Sequence, residues 1–181
     1  GIRDVAVTGV QTCALPIYVA GRGGSLGNCE GSVVAAAFGY FNPVIITAAW
    51  NLATAKHPAR VIGDAHYEVA AHLGREKLSN MPGLAEFTSA MEKVFNATDA
   101  DGFALFAAFK SMPLAQDTPA RAMQLAASLR EFRGSAHLVA IRAVGLTSKQ
   151  AHYVKRPNDI KGFGWGEDDA PVLDDHVRSE E

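Results

Sequence analysis

The stretch Arg130-Glu131-Phe132-Arg133-Gly134-Ser135-Ala136-His137 is where residue type and spacing could do chemistry. On helical angles Arg133 continues the stripe of Ala122, Ala126 and Leu129. His137 aligns in the same way with Ala140, Ile141 and Val144. The pattern predicts a helix ending at Gly134 and a new one capped by Ser135, with a cation and an imidazole facing inward on either side of the break. Fresh helix N–H groups beside Arg133 and His137 would hold an anion or a carboxylate. The plainer alternative is that Arg133 caps carbonyls of its own helix while His137 bonds a neighbouring backbone. Arg22 and Glu131 join Arg133 and His137 as candidates around a helical ligand pocket. His66 is a fifth candidate, at the centre of an apolar stripe with Asp64 and Glu68 turned away; its plainer role is a hydrogen-bonded core histidine.

Other constellations fail on inspection. Gly21, Gly23, Gly24 and Gly27 imitate a phosphate loop, but Leu26 stands where the last glycine belongs and no Lys-Ser/Thr pair follows. They read as a flexible connector. Asp99, Asp101 and Gly102 imitate a calcium loop whose first and bidentate ligands would be Ala97 and Ala108, which offer no side-chain oxygen. The histidines lack zinc spacing, and no nucleophile elbow is present. No catalytic, cofactor-binding or metal-ligating residue is assigned, and Trp50 and the phenylalanines read as core.

The elements that must position these residues are helical almost throughout. Val33–Phe41 and Val44–Thr54 flank an Asn42-Pro43 turn. A longer helix opens at Pro58 and runs to about Gly74, with Ile62, His66, Val69 and Leu73 on one stripe. Gly83–Asn96 carries Leu84, Phe87, Met91, Val94 and Phe95, and 101–112 is rich in phenylalanine. Thr118-Pro119 starts the helix that reaches Gly134, and Thr147 with Gln150 forms a capping box. The expected fold is all-α, a multi-helix orthogonal bundle.

Composition bounds the rest. In 181 residues, 48% are hydrophobic and 20% charged, with net charge −2. That describes one globular, soluble domain or a piece of something larger, and excludes a disordered tail, a disulfide scaffold and a strongly basic nucleic-acid-binding surface. No apolar run reaches the roughly 18 to 20 residues that span a bilayer, so no membrane partner is expected. The acidic end, Glu167, Asp168, Asp169, Asp174 and Asp175, would repel phosphates.

Residues 7–17, Val-Thr-Gly-Val-Gln-Thr-Cys-Ala-Leu-Pro-Ile, resemble the conceptual translation of a sequencing adapter, codon by codon. An edge strand through Val5, Val7 and Val10, or a secretory signal, would be the rival readings. The signal lacks a basic lead into a continuous apolar core. On the adapter reading residues 1–17 precede the natural frame and are not structured natively. Cys13 then disappears, leaving Cys29 alone, and the chain looks intracellular, with a cytoplasmic location expected.

From Tyr18-Val-Ala-Gly-Arg22-Gly-Gly-Ser-Leu26-Gly27 onward the chain resembles an actinobacterial family of SalK-like helix-turn-helix proteins. The likeness continues through Val33–Phe38, Phe41-Asn42-Pro43 and Trp50. It is clearest in Leu129–His137, where the family typically reads L-R-E-H-R-G-D-G-H. It ends at Gly164-Trp165-Gly166-Glu167-Asp168, similar to the family's G-W-S-x-E-E step. Phe132 replaces a usual histidine, Ser135 a usual aspartate and Gly166 a usual serine cap, which puts a polar role of the corner in doubt.

The resemblance implies a helical domain over 18–163, followed at 164–181 by the start of a truncated winged-helix domain. It implies a non-enzymatic, transcription-related regulator whose helical region serves packing, homodimerisation or ligand sensing, with DNA reached through the missing winged part. The rival is a small-molecule-binding protein or enzyme of specialised metabolism. The two are separated by whether Arg22, Glu131, Arg133 and His137 converge on one aromatic-lined cavity.

Overall fold

The structure, a computed structural model, describes residues 9–173 and 175, without the side chains of 9–14 and of Glu167. Expectations for residues 1–8, 174 and 176–181 lie outside the described residues. The described chain is an all-α bundle of eight α-helices, with no strand among the described residues. They are α1 (Gly9–Gly23), α2 (Gly31–Phe38), α3 (Pro43–Thr54), α4 (Ala59–Leu78), α5 (Leu84–Ala97), α6 (Ala104–Lys110), α7 (Thr118–Ala143) and α8 (Ser148–Lys155). Short 3-10 turns cover Gly24–Leu26, Ile160–Phe163 and Glu167–Asp169. None of these helices is long and apolar enough to cross a membrane.

Local sequence explains the ends of several helices. Asn42 caps α3, its side chain accepting from Val44 N–H ahead of Pro43 at the helix start. Thr147 and Gln150 form the capping box of α8 in both directions. At α7 the cap is Asp117, one residue earlier than the sequence suggests, with its carboxylate accepting from Ala120 N–H.

Helix α7 is the spine. It packs against α4, α5 and α6 and meets α8 at its C-terminal end, while α1 runs against α3 and α4 and α2 lies on α3. One apolar core gathers Val19, Val34, Phe38, Ile46, Trp50 and Leu105. Another joins Phe95, Phe106 and Leu125 across α5, α6 and α7. Phe103, Phe106 and Phe109 thus serve as core, as the sequence suggests, and so does Trp50, whose indole N–H donates to the Cys29 carbonyl at 3.0 Å.

Three expectations are corrected. The expected break at Gly134-Ser135 does not exist, because α7 continues through it to Ala143. A glycine ends a helix by adopting positive φ, and Gly134 is not among the residues that do. Second, the buried face of α4 is Ala59, Gly63, Tyr67, Ala71 and Gly74, not the Ile62–Leu73 stripe; Val69 and Leu73 are exposed. Third, Gly21 to Gly24 form no connector. Gly21 and Gly23 lie inside α1, and Gly24 sits so close to α4 that a Cβ there would lie 2.6 Å from Gly63 N. Small residues set both faces because these backbones nearly touch.

Helix α1 begins at Gly9, inside the adapter-like string, and carries Pro16 within it. Leu15 is partly buried against the first core.

Candidate functional site

The face of α7 turned toward α1 and α4 is polar. Gln124, Ser128, Glu131 and Ser135 fall at i, i+4, i+7 and i+11, and all are buried. Each of the first three is bonded. Gln124 accepts from Ala115 N–H at 2.7 Å, and Ser128 donates to the Gln124 carbonyl at 2.9 Å while lying 3.0 Å from the Tyr67 hydroxyl. Glu131, 3% exposed, takes both ends of Arg22: Nε to Oε1 at 3.0 Å and Nη2 to Oε2 at 2.7 Å. Burial alone would disfavour the charged guanidinium. The hydrogen bonds and charge of Glu131 outweigh that and raise the Arg22 pKa. The guanidinium also donates to the Tyr18 hydroxyl and lies 4.3 Å over the Phe38 ring. This pair forms the floor of a cavity of about 480 Å³ between α1, α7 and α8.

The walls are aromatic. Phe41 packs tilted against Phe163 at 4.3 Å and Phe163 tilted against His152 at 4.2 Å, while Tyr40 stacks on His137 at 5.7 Å. Tyr40 has φ of 55°, the left-handed region that a bulky residue rarely enters. It is held there by the Phe41 N–H bond to the Gly39 carbonyl, by its hydroxyl 2.7 Å from His137 Nδ1, and by Trp165, whose indole N–H donates to the Tyr40 carbonyl at 2.6 Å. Strain of this kind concentrates at functional sites. The four-residue connection that contains Tyr40, 39–42, links α2 to α3, and a second four-residue connection, 144–147, links α7 to α8. Both carry a glycine at positive φ, Gly39 and Gly145. The cavity is lined by Tyr40 and Phe41 of the first connection.

Charge is concentrated here in a chain whose net charge is −2. Arg22 and Glu131 cancel one another. Arg130 stands 3.7 Å from Glu131 with most of its side chain exposed. Arg133, Lys155 and Arg156 also line the cavity, and among the described residues no carboxylate pairs with them. His152 is 4% exposed, and its Nε2 is buried with no hydrogen-bond partner. Burial, followed by the charge of Arg156, pushes the His152 pKa below its ordinary value.

Four of the five sequence candidates therefore meet: Arg22, Glu131, Arg133 and His137 all line the cavity. They do so differently from the expectation, since Arg133 and His137 are exposed and the inward-facing residue is Glu131. No helix N-terminus opens between them. His66 does not line the cavity. It is half-buried against α1, where a Cβ on Gly21 would lie 2.7 Å from its Nδ1. Burial, then the charge of Arg22, holds its pKa down.

Sequence reasoning missed His152, Lys155 and Arg156. His152 and Lys155 lie three apart on α8, so helical spacing could have paired them, whereas Arg156 follows the helix as its C-cap. At Gly166, where the serine cap is absent, the backbone N–H instead donates to Asp169 Oδ2 at 2.7 Å. No metal-ligating cluster of His, Cys, Asp and Glu occurs among the described residues.

Bundle and cavity together define a helical domain with an interior site of ligand size. The chain belongs to the helix-turn-helix family, which it matches over residues 3–169. No curated protein and no solved structure matches it.

Proposed function

We propose that this chain is the ligand-sensing helical region of a transcription-related, DNA-binding regulator of the helix-turn-helix family. The observation that carries the reading is the convergence of Arg22, Glu131, Arg133 and His137 on one aromatic-walled cavity of about 480 Å³. That volume falls in the range of small-molecule sites. A ligand there would touch α1, α7 and α8 at once and bear on Tyr40 and Phe41 in the turn that joins α2 to α3. Occupancy would therefore alter how α8 and the following residues are held. On this reading DNA contact would fall to a winged module of the kind the resemblance implies.

The test uses protein expressed from the complete reading frame, titrated with genomic DNA fragments at two salt concentrations. The reading expects affinity to fall by about tenfold or more between roughly 50 and 200 mM salt, as phosphate contacts require. Absence of any salt-dependent binding would defeat it.

A second reading, an enzyme of specialised metabolism, draws on one observation. The Tyr40 hydroxyl and His137 Nδ1, 2.7 Å apart at the cavity wall, have the geometry of an acid–base pair. It expects turnover that is lost in Tyr40→Phe while ligand affinity is kept.

A further inference from the structure

The cavity combines three features that together define a ligand class. Arg133, Lys155 and Arg156 bring positive charge that no described carboxylate balances. All three are exposed at the rim of the cavity; cations gathered there call for an anion, and guanidinium groups favour a planar carboxylate or a phosphate. Phe41 and Phe163, packed on each other at 4.3 Å, line the cavity with aromatic surface suited to a flat apolar body. The third feature is His152. Its Nε2 is buried without a hydrogen-bond partner. A hydroxyl both donates and accepts, so it pairs with Nε2 in either tautomer of the ring. A buried polar nitrogen left unpaired costs free energy that a ligand hydroxyl would recover.

The geometry points to an aromatic carboxylate bearing a hydroxyl as the ligand of this cavity, with the carboxylate among Arg133, Lys155 and Arg156 and the hydroxyl bonded to His152 Nε2. This rests on the reading of the cavity as a ligand site and adds the chemistry of its occupant. A free phosphate would satisfy the cations but leave both the rings and Nε2 unused. A nucleic-acid backbone would likewise meet only the charges.

The experiment is calorimetric titration of this chain with three matched probes: a hydroxynaphthoate whose hydroxyl and carboxylate sit on opposite rings, naphthoate, and naphthol. The hydroxynaphthoate binds best. Naphthoate binds about threefold to tenfold more weakly, the worth of one hydrogen bond. Naphthol binds at least about tenfold more weakly than the hydroxynaphthoate, for want of the charge-assisted contacts. His152→Phe removes the preference for the hydroxyl, and His152→Gln, which keeps an acceptor, retains it. A thermal melt of each variant verifies folding.

Naphthol binding as tightly as the hydroxynaphthoate overturns the proposal. So does a hydroxyl preference that survives in a folded His152→Phe, or displacement of the probe by inorganic phosphate or duplex DNA at equal charge concentration. Failure of the sensing reading looks different. Hydroxynaphthoate binding with unchanged DNA affinity of the complete protein retires sensing and keeps this ligand class. A neutral aromatic that fills the cavity and shifts DNA affinity keeps sensing and retires this class.

Discussion

Arg22 on α1 and Glu131 on α7, 109 residues apart, close a bidentate ion pair at 3.0 and 2.7 Å beneath the cavity. The pair is buried, so its attraction is set against the desolvation of both ions, and either partner left alone is an uncompensated buried charge. Glu131→Gln should therefore destabilise the fold by about 3–5 kcal/mol in denaturant melts. The double variant Arg22→Met, Glu131→Leu should recover much of that loss. A double variant no better than Glu131→Gln alone would show that the pair does more than balance charge.

Gly134 offers a sharp contrast between two descriptions of α7. A Cβ there would meet nothing within 4 Å, and the residue lies in an uninterrupted helix. Gly134→Ala should then stabilise the protein by about 0.5–1 kcal/mol through helix propensity. Destabilisation of similar size would mean that Gly134 needs a conformation alanine resists.

The crossing of α1 and α4 predicts the opposite behaviour for Gly63. A Cβ on Gly63 would stand 2.5 Å from the Gly24 carbonyl carbon and 2.7 Å from Ser25 N, both backbone. Gly63→Ala should cost about 1–3 kcal/mol from overpacking, read as a lower melting midpoint. An unchanged midpoint would place the helices further apart than described.

Helix type and several caps were legible in the sequence, whereas burial on α4 and α7 was not, and the reason is physical. Apolar periodicity finds a face made of large aliphatic side chains. On α4 the buried face is Ala59, Gly63, Tyr67, Ala71 and Gly74, so Val69 and Leu73 carried the stronger signal while pointing to solvent. On α7 Leu125 is buried as its type suggests, but a second buried stripe is Gln124, Ser128, Glu131 and Ser135, which reads as a solvated face until Tyr67 and Arg22 are seen to satisfy it. Arg133 and His137 were picked out by stripe alignment and reach the cavity from its exposed side. His152 and Lys155 share a face of α8 by spacing, but that this face turns toward the cavity follows from α8 packing on α7 through Ile141, Leu146 and Ala151, which periodicity alone does not reveal.

Two imidazoles, half-buried His66 and buried His152, give the fold a pH dependence. Burial, then Arg22, lowers the His66 pKa; burial, then Arg156, lowers that of His152. Between the folded value and the unfolded value of about 6.5, the unfolded chain binds more protons, so stability rises with pH across that window. The contribution is complete at neutral pH and is lost as pH falls through about 6.5 toward the lower folded values. Melting midpoints should therefore drop between about pH 7 and pH 5, and His66→Gln with His152→Gln together should flatten that part of the profile. A profile equally steep in the double variant would assign the effect to carboxylates instead.

The central claim is that the space between α1, α7 and α8 is a ligand site for an aromatic anion. A crystal structure of the chain grown with the hydroxynaphthoate tests it most directly. The account predicts the ring against Phe41 and Phe163, the carboxylate within hydrogen-bond distance of Arg133, Lys155 or Arg156, and His152 Nε2 no longer without a partner. An empty cavity, or the probe bound elsewhere with His152 Nε2 still unpartnered, would contradict it.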